Sequence, residues 1–187
     1  MHDNVVVVEG MSDRVALETL AERRGVELER AGISVVAIGG AQAIGSFVER
    51  FGPRGLGLRL AGLCDAGEER HFRRALEHAG LGSPLTRKEL ERHGFFVCDA
   101  DLEDELLRAL GTSTVEDVVE AQGELPAFRT FQKQPAQRGR PTDAQLRRFL
   151  GTHSGRKSRY ARALVEALDL ARVPRPLTGL LAHATGR

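Results

Sequence analysis

Residues 5–8 are four valines in succession. An apolar run without polar alternation predicts a strand covered on both faces, as in a parallel sheet. Glu9 and Gly10 follow at once. A helical period then begins, with Val15, Leu17, Leu20 and Ala21 on its apolar face and Ser12 or Asp13 as the expected cap. The cycle repeats along the chain. ISVVAI at 33–38 predicts a second strand, Gly39-Gly40 a turn, and Ile44, Phe47, Val48 and Phe51 a helix. LRLAGLC at 58–64 predicts a third strand, weakened by Gly62, and residues 68–79 a charged amphipathic helix. FFVC at 95–98 predicts a fourth strand, followed by a helix over 102–110. Strands separated by helical crossovers imply an α/β fold, a Rossmann-like parallel four-stranded sheet flanked by helices.

Past residue 111 the strand signals stop. VEDVVEAQ, PAFRTFQKQ, DAQLRRFL and RKSRYARALVEALDLA all read as helices, punctuated by glycine and proline. VPRP at 173–176 predicts a loop before a short final segment. The expected organisation is an α/β domain over residues 1–111 and a helical extension over 112–187 packed on it.

Charge divides the chain in a similar way. Residues 1–122 hold 14 Lys and Arg against 22 Asp and Glu, whereas residues 123–187 hold 13 against 4. An acidic body joined to a basic tail fits a body that holds cations and a tail that holds polyanions; mutual neutralisation by packing is the alternative. With no Trp and one Tyr the core must be aliphatic. No apolar run approaches the roughly 20 residues of a membrane span, and no leader pattern opens the chain, so a cytoplasmic protein is expected. Cys64 and Cys98 lie far apart, outside any C-x-x-C pattern, and read as small buried hydrophobes.

The informative chemistry lies at the strand ends. VVVV is followed by Glu9, LAGLC by Asp65 and FFVC by Asp99. In a parallel sheet these acids emerge along one edge, where open α/β sheets bind ligands. Asp13 lies four residues past Glu9, and Asp101, Glu103, Asp104 and Glu105 crowd the last expected helix start of the α/β domain. Taken singly, acids at such positions are ordinary helix caps. Together they repel, and a hard divalent cation relieves that repulsion better than protons do at neutral pH.

These residues resemble a TOPRIM domain, the metal-binding module of topoisomerases, primases and several nucleases, whose hallmark is a glutamate after the first strand and a D-x-D after the third. The closer likeness is to the TOPRIM region of the OLD (overcoming lysogenization defect) nucleases. It rests on VVVVEGMSDRVALETLAERRG, VVAIGG, LCDAGEE, DADLEDEL and GRKSRYARAL, in that order through most of residues 4–168.

The resemblance implies metal-dependent cleavage of DNA by an endonuclease or nickase, with one or two Mg²⁺ or Mn²⁺ ions. Glu9, Asp13 and Asp65 would hold metal, and Asp101 and Glu103 would complete a second position. Glu9 would also help activate water, and Lys157 would stabilise transition-state charge. Two departures stand out. Gly67 replaces the second aspartate of D-x-D, which points to a rival reading as a non-catalytic module that binds nucleic acid or a partner ATPase. Second, OLD-type proteins carry an ATPase domain, yet this sequence has no G-x-x-x-x-G-K-[ST], so a stand-alone module with a separate ATPase partner chain is expected.

A phosphoacceptor receiver domain also gathers acids at strand ends, but it needs a fifth strand, and none is predicted. Arg147, Arg148, Arg156 and Arg159 are the expected phosphate contacts. RGRP at 138–141 reads as a turn before a helix capped by Thr142 or Asp143, and Tyr160 as a helix-face residue. His71 and His78 have no evident ligand partner.

Overall fold

The computed structural model describes residues 4–151 and 154–186. Its sheet contains β1 (Asn4–Val8), β2 (Ile33–Ala37), β3 (Arg59–Asp65) and β4 (Phe95–Cys98). All pairs are parallel, in the order β2-β1-β3-β4. The two central strands, β1 and β3, therefore end side by side.

Alternation along β1 divides the core in two. Val6 and Val8 face one layer, with α1 (Met11–Arg23), α5 (Leu102–Leu110), α6 (Thr112–Ala121), α7 (Leu125–Gln132), α8 (Thr142–Leu150), α9 (Ser154–Ala167) and α10 (Arg175–Thr185). Val5 and Val7 face the other, with α2 (Ile44–Phe51), α3 (Glu69–His78) and α4 (Arg87–Arg92). Burying each valine on both sides of the sheet stabilises the fold by about 1.5–3 kcal/mol. Cys64 belongs to the second layer and Cys98 to the first. Both are free, and burial raises both thiol pKa values.

The helical part and the sheet share one core. Leu146, Phe149, Tyr160, Leu164 and Val165 are buried in the same cluster as Val6 and Val8. α9 packs along α1, and Arg23 Nη1 donates to the carbonyls of Val165 and Leu168 at 2.7 and 2.6 Å, satisfying acceptors at the end of α9. No helix among the described residues is long and apolar enough to cross a membrane.

Four local expectations change. α1 is capped by the extended Gly10, not by Ser12 or Asp13. Asp13 instead reaches back, its Oδ2 accepting the Gly10 N–H at 2.9 Å. α8 begins at Thr142 with Pro141 as its cap residue, and neither Thr142 nor Asp143 fills that role. α4 was not foreseen, although Thr86 and Glu89 form a reciprocal capping box at its start. The final segment is an eleven-residue helix, α10, with Leu177, Leu180, Leu181 and Ala184 buried. Pro176 and Gly179 masked its apolar spacing.

Two glycines explain how the sheet is covered. A Cβ on Gly62 would lie 2.9 Å from the Phe95 ring and from the Val7 carbonyl, so this strand glycine makes room for an aromatic neighbour. A Cβ on Gly179 would lie 2.3 Å from the Phe96 ring, so α10 approaches the sheet through its glycine. Alanine in a helix is worth about 1 kcal/mol over glycine, but here the clash dominates. Gly179→Ala is expected to lower stability by about 1–3 kcal/mol in urea unfolding; a variant as stable as the parent would contradict this packing.

Candidate metal centre and basic cleft

The parallel register brings the first two acids into contact. Glu9 leaves β1 directly after Val8, and Asp65 ends the neighbouring β3. Glu9 Oε1 accepts the Asp65 N–H at 2.9 Å. Asp13, in the first turn of α1, adds a third carboxylate. No ion pair to Glu9, Asp13 or Asp65 occurs among the described residues.

This inner trio carries the electrostatic strain of crowding. Burial raises the Asp65 pKa to about 7, reinforced by the charges of Glu9, Asp13, Asp101 and Glu103. Burial raises Asp13 to about 6; the Gly10 N–H offsets part of this, while Glu103 and Glu9 add to it. Burial also raises Glu9, partly countered by the Asp65 N–H; Glu68 raises it further and His71 lowers it. The five expected metal residues thus lie within electrostatic reach of one another.

The outer two are differently placed. Asp101 caps α5 through Oδ1, which accepts the Asp104 N–H at 2.8 Å, while Oδ2 accepts a hydrogen bond from Arg147. Both its oxygens are engaged. Lys157 Nζ pairs with Glu103 Oε1 at 3.2 Å. Burial alone would lower the Lys157 pKa, but Glu103, Asp101 and Asp13 together outweigh it and the net shift is upward. Two protein cations therefore neutralise the outer acids.

Among the described residues no three Asp, Glu, His or Cys side chains converge into a metal-holding group. The donor chemistry nevertheless fits a hard divalent ion. All five side chains offer carboxylate oxygen, and no ion pair to the inner trio occurs among the described residues.

Other acids are drawn elsewhere. Asp99 is two-thirds exposed and pairs with Arg87 and Arg108, at 3.5 and 3.6 Å, so it does not join Glu9 and Asp65. Glu69 is buried between Arg73 and Arg87. Glu68 is the acid after Gly67 that Glu9 feels. A Cβ on Gly67 would meet nothing within 4 Å, so the space of the missing aspartate is open.

Beside the outer acids lies a cleft of about 1050 Å³, lined in part by Asp101, Glu103, Arg140, Arg147, Arg148 and Lys157. Of the expected phosphate contacts, Arg147 and Arg148 face this cleft. Arg156 and Arg159 lie outside the cleft lining and engage Glu124, Arg159 while half-exposed. The Arg156 guanidinium stacks over Phe149, 4.4 Å from the ring centroid, and its Nε lies 3.1 Å from Glu124. Arg159 donates to Glu124 at 2.7 Å, and the Tyr160 hydroxyl does so at 2.9 Å. Tyr160 is thus a core residue with a satisfied hydroxyl. Sequence spacing gave no sign of Glu124 as a partner lying more than thirty residues away.

Residues 1–66 match the family described as the overcoming lysogenization defect protein-like TOPRIM domain. The likeness to that domain covers the first 66 of the chain's 187 residues. Its whole fold is similar to the C-terminal region of the Burkholderia pseudomallei OLD protein, with a TM-score of 0.73 and 23% identity over 100% of this chain and 98% of that one. It is similar also to the C-terminal region of the Xanthomonas campestris pv. campestris OLD protein, in a platinum-phased structure. There the TM-score is 0.72 and identity 26%, over 98% of this chain and 92% of that one. No curated protein matches the sequence. The TOPRIM likeness covers the strands that carry Glu9 and Asp65, and the structural likeness extends through the helical part.

The raised carboxyls fix a pH dependence. Each contributes favourably while protonated, and that contribution is lost as pH climbs from the ordinary aspartate range through about 6 for Asp13 and about 7 for Asp65. Without metal, Asp65→Asn is therefore expected to be the more stable form at pH 8, by on the order of 2 kcal/mol, with the difference shrinking towards pH 4. Mn²⁺ should raise the melting temperature of the parent and not of the variant. Parallel melting curves in EDTA and in Mn²⁺ check both signs.

Proposed function

We propose that the chain is the cleavage module of a divalent-metal-dependent DNA nuclease or nickase. The reading is carried by one observation: carboxylates at the sheet edge, joined by the Glu9–Asp65 hydrogen bond, lie beside a cleft to which Arg140, Arg147, Arg148 and Lys157 contribute. The TOPRIM match supports it.

Glu9, Asp13 and Asp65 would hold Mg²⁺ or Mn²⁺, and Glu103 with Asp101 would offer a second position. A bound ion supplies electrophilic polarisation of the phosphodiester and lowers the pKa of water. The remaining work falls to side chains. Arg147 and Arg148 hold backbone phosphates in the cleft, contacts that give affinity without sequence information. Lys157 leaves Glu103 for the extra negative charge that develops on the phosphoryl oxygens. Glu9 keeps one oxygen on the Asp65 N–H, which leaves the other to accept a proton from the attacking water. Turning Arg147 and Lys157 towards phosphate releases Asp101 and Glu103 for metal, so phosphate and the second ion reinforce each other.

Gly67 favours a second reading, a module that binds nucleic acid or an ATPase without cutting. The solved relatives are C-terminal regions of larger proteins, which is consistent with work alongside an ATPase. Plasmid nicking separates the two. The first reading expects relaxed circles with Mn²⁺ or Mg²⁺, none with EDTA, and a loss of at least about a hundredfold in Glu9→Ala, the scale of removing one catalytic acid-base group. Cutting by Glu9→Ala at the parental rate would refute it. Because the space at Gly67 is open, Gly67→Asp is expected to fold normally and to tighten Mn²⁺ binding. If the parent never cuts but Gly67→Asp does, the second reading holds.

A further inference from the structure

The acidic half of the chain contains a groove that the metal centre and its adjoining cleft do not use. It lies between α2 and α3, with a volume of about 610 Å³. Ile44, Val48 and Ala75 form its floor. Its polar lining is mostly basic: Arg54, His71, Arg74 and His78, against the single acid Glu49. The body is therefore not uniformly a cation-holding surface.

The groove has a direction. His71, Arg74 and His78 stand at i, i+3 and i+7 on α3, so they form one row about 10 Å long. The row starts beside the metal centre. His71 lies 3.4 Å from Glu68, and Glu9 feels both charges. It ends where Arg54 Nη1 donates to the His78 carbonyl at 2.5 Å, which holds Arg54 across the far end. Arg74 is exposed and has no acidic partner among the described residues. This contrasts with Arg73 beside it, which is paired with Glu69.

The row thus leaves the carboxylate cluster on the α2–α3 side of the sheet. The cleft of Arg147 and Arg148 leaves it on the other side, among α5 and α8. An extended polyanion whose scissile group sits at Glu9 and Asp65 needs contacts on both flanks. A row of this length spans two to three backbone phosphates at roughly 3.4 Å of axial rise per nucleotide of one strand. Histidine N–H and arginine guanidinium are phosphate donors, the latter in bidentate geometry.

We propose that the α2–α3 groove is the second half of the nucleic-acid track, with Arg74, His78 and Arg54 holding DNA backbone phosphates on the flank opposite Arg147 and Arg148. The assignment rests on the nuclease-type reading above, since it takes the metal centre as the point where the two halves meet.

Binding of a fluorescent DNA duplex to the full chain, measured by anisotropy in Ca²⁺ over a salt series, tests it without requiring cleavage. Arg74→Ala is expected to weaken binding and to flatten the slope of log K against log salt by about 0.9, one phosphate contact. Arg148→Ala should do the same independently, and the two effects should add in the double variant. Arg74→Glu should weaken binding further. Because Arg74 is exposed and unpaired, its variants should melt with the parent, which excludes misfolding as the cause. Parental affinity and slope in both Arg74 variants, with Arg148→Ala impaired, would overturn this groove as a DNA track while leaving the metal centre intact. That result would point to an acidic protein segment as its occupant. If the parent itself fails to bind DNA, this proposal and the nuclease reading fall together.

Discussion

The hydrogen bond from the Asp65 amide to Glu9 joins two strands that carry acids at the same level of the sheet. Parallel pairing of β1 with β3 forces this meeting, because both strands run the same way and end on one edge. The fold therefore brings together groups that repel. Backbone amides offset part of this: Glu9 accepts one N–H and Asp13 another. Burial, with that repulsion added to it, leaves the carboxyl pKa values of Asp13 and Asp65 raised. A site that is unfavourable when empty of positive charge is one whose stability rises when a cation arrives.

Around this centre the chain grades its charges. Nearest the sheet, three acids have no cationic partner. One step out, Asp101 and Glu103 hold Arg147 and Lys157. Beyond them Arg148 and Arg140 line an open cleft. On the other flank, His71 and Arg74 begin a second basic row. The helical part does more than supply charge. It shares the sheet's core through Leu146, Phe149 and Leu164, and so α8 and α9 place Arg147 and Lys157 beside the acids.

The sequence made much of this legible because its strong signals are local or enforced by symmetry. Four strands and the acids at their ends follow from apolar runs and a parallel sheet. The Glu9–Asp65 meeting required only that β1 and β3 be neighbours. What was hidden depends on partners chosen in three dimensions. Asp99 has the same local pattern as Asp65, yet Arg87 and Arg108 draw it away. Arg156 looks like Arg148 in the sequence, yet Phe149 and Glu124 engage it. α10 was obscured because Gly179, a weak helix former, is required by its contact with Phe96. The α2–α3 groove was invisible for a related reason. Its basic row is sparse on α3, and Arg54 joins it only through the His78 carbonyl.

The central claim is that Glu9 and Asp65 are assembled to take up a divalent cation. Isothermal titration of the metal-free chain with Mn²⁺ at pH 8, beside Glu9→Gln, addresses it most directly. The account predicts saturable uptake by the parent and loss of that uptake in Glu9→Gln. Absence of any saturable Mn²⁺ binding by the parent, or equal uptake by the variant, would contradict it.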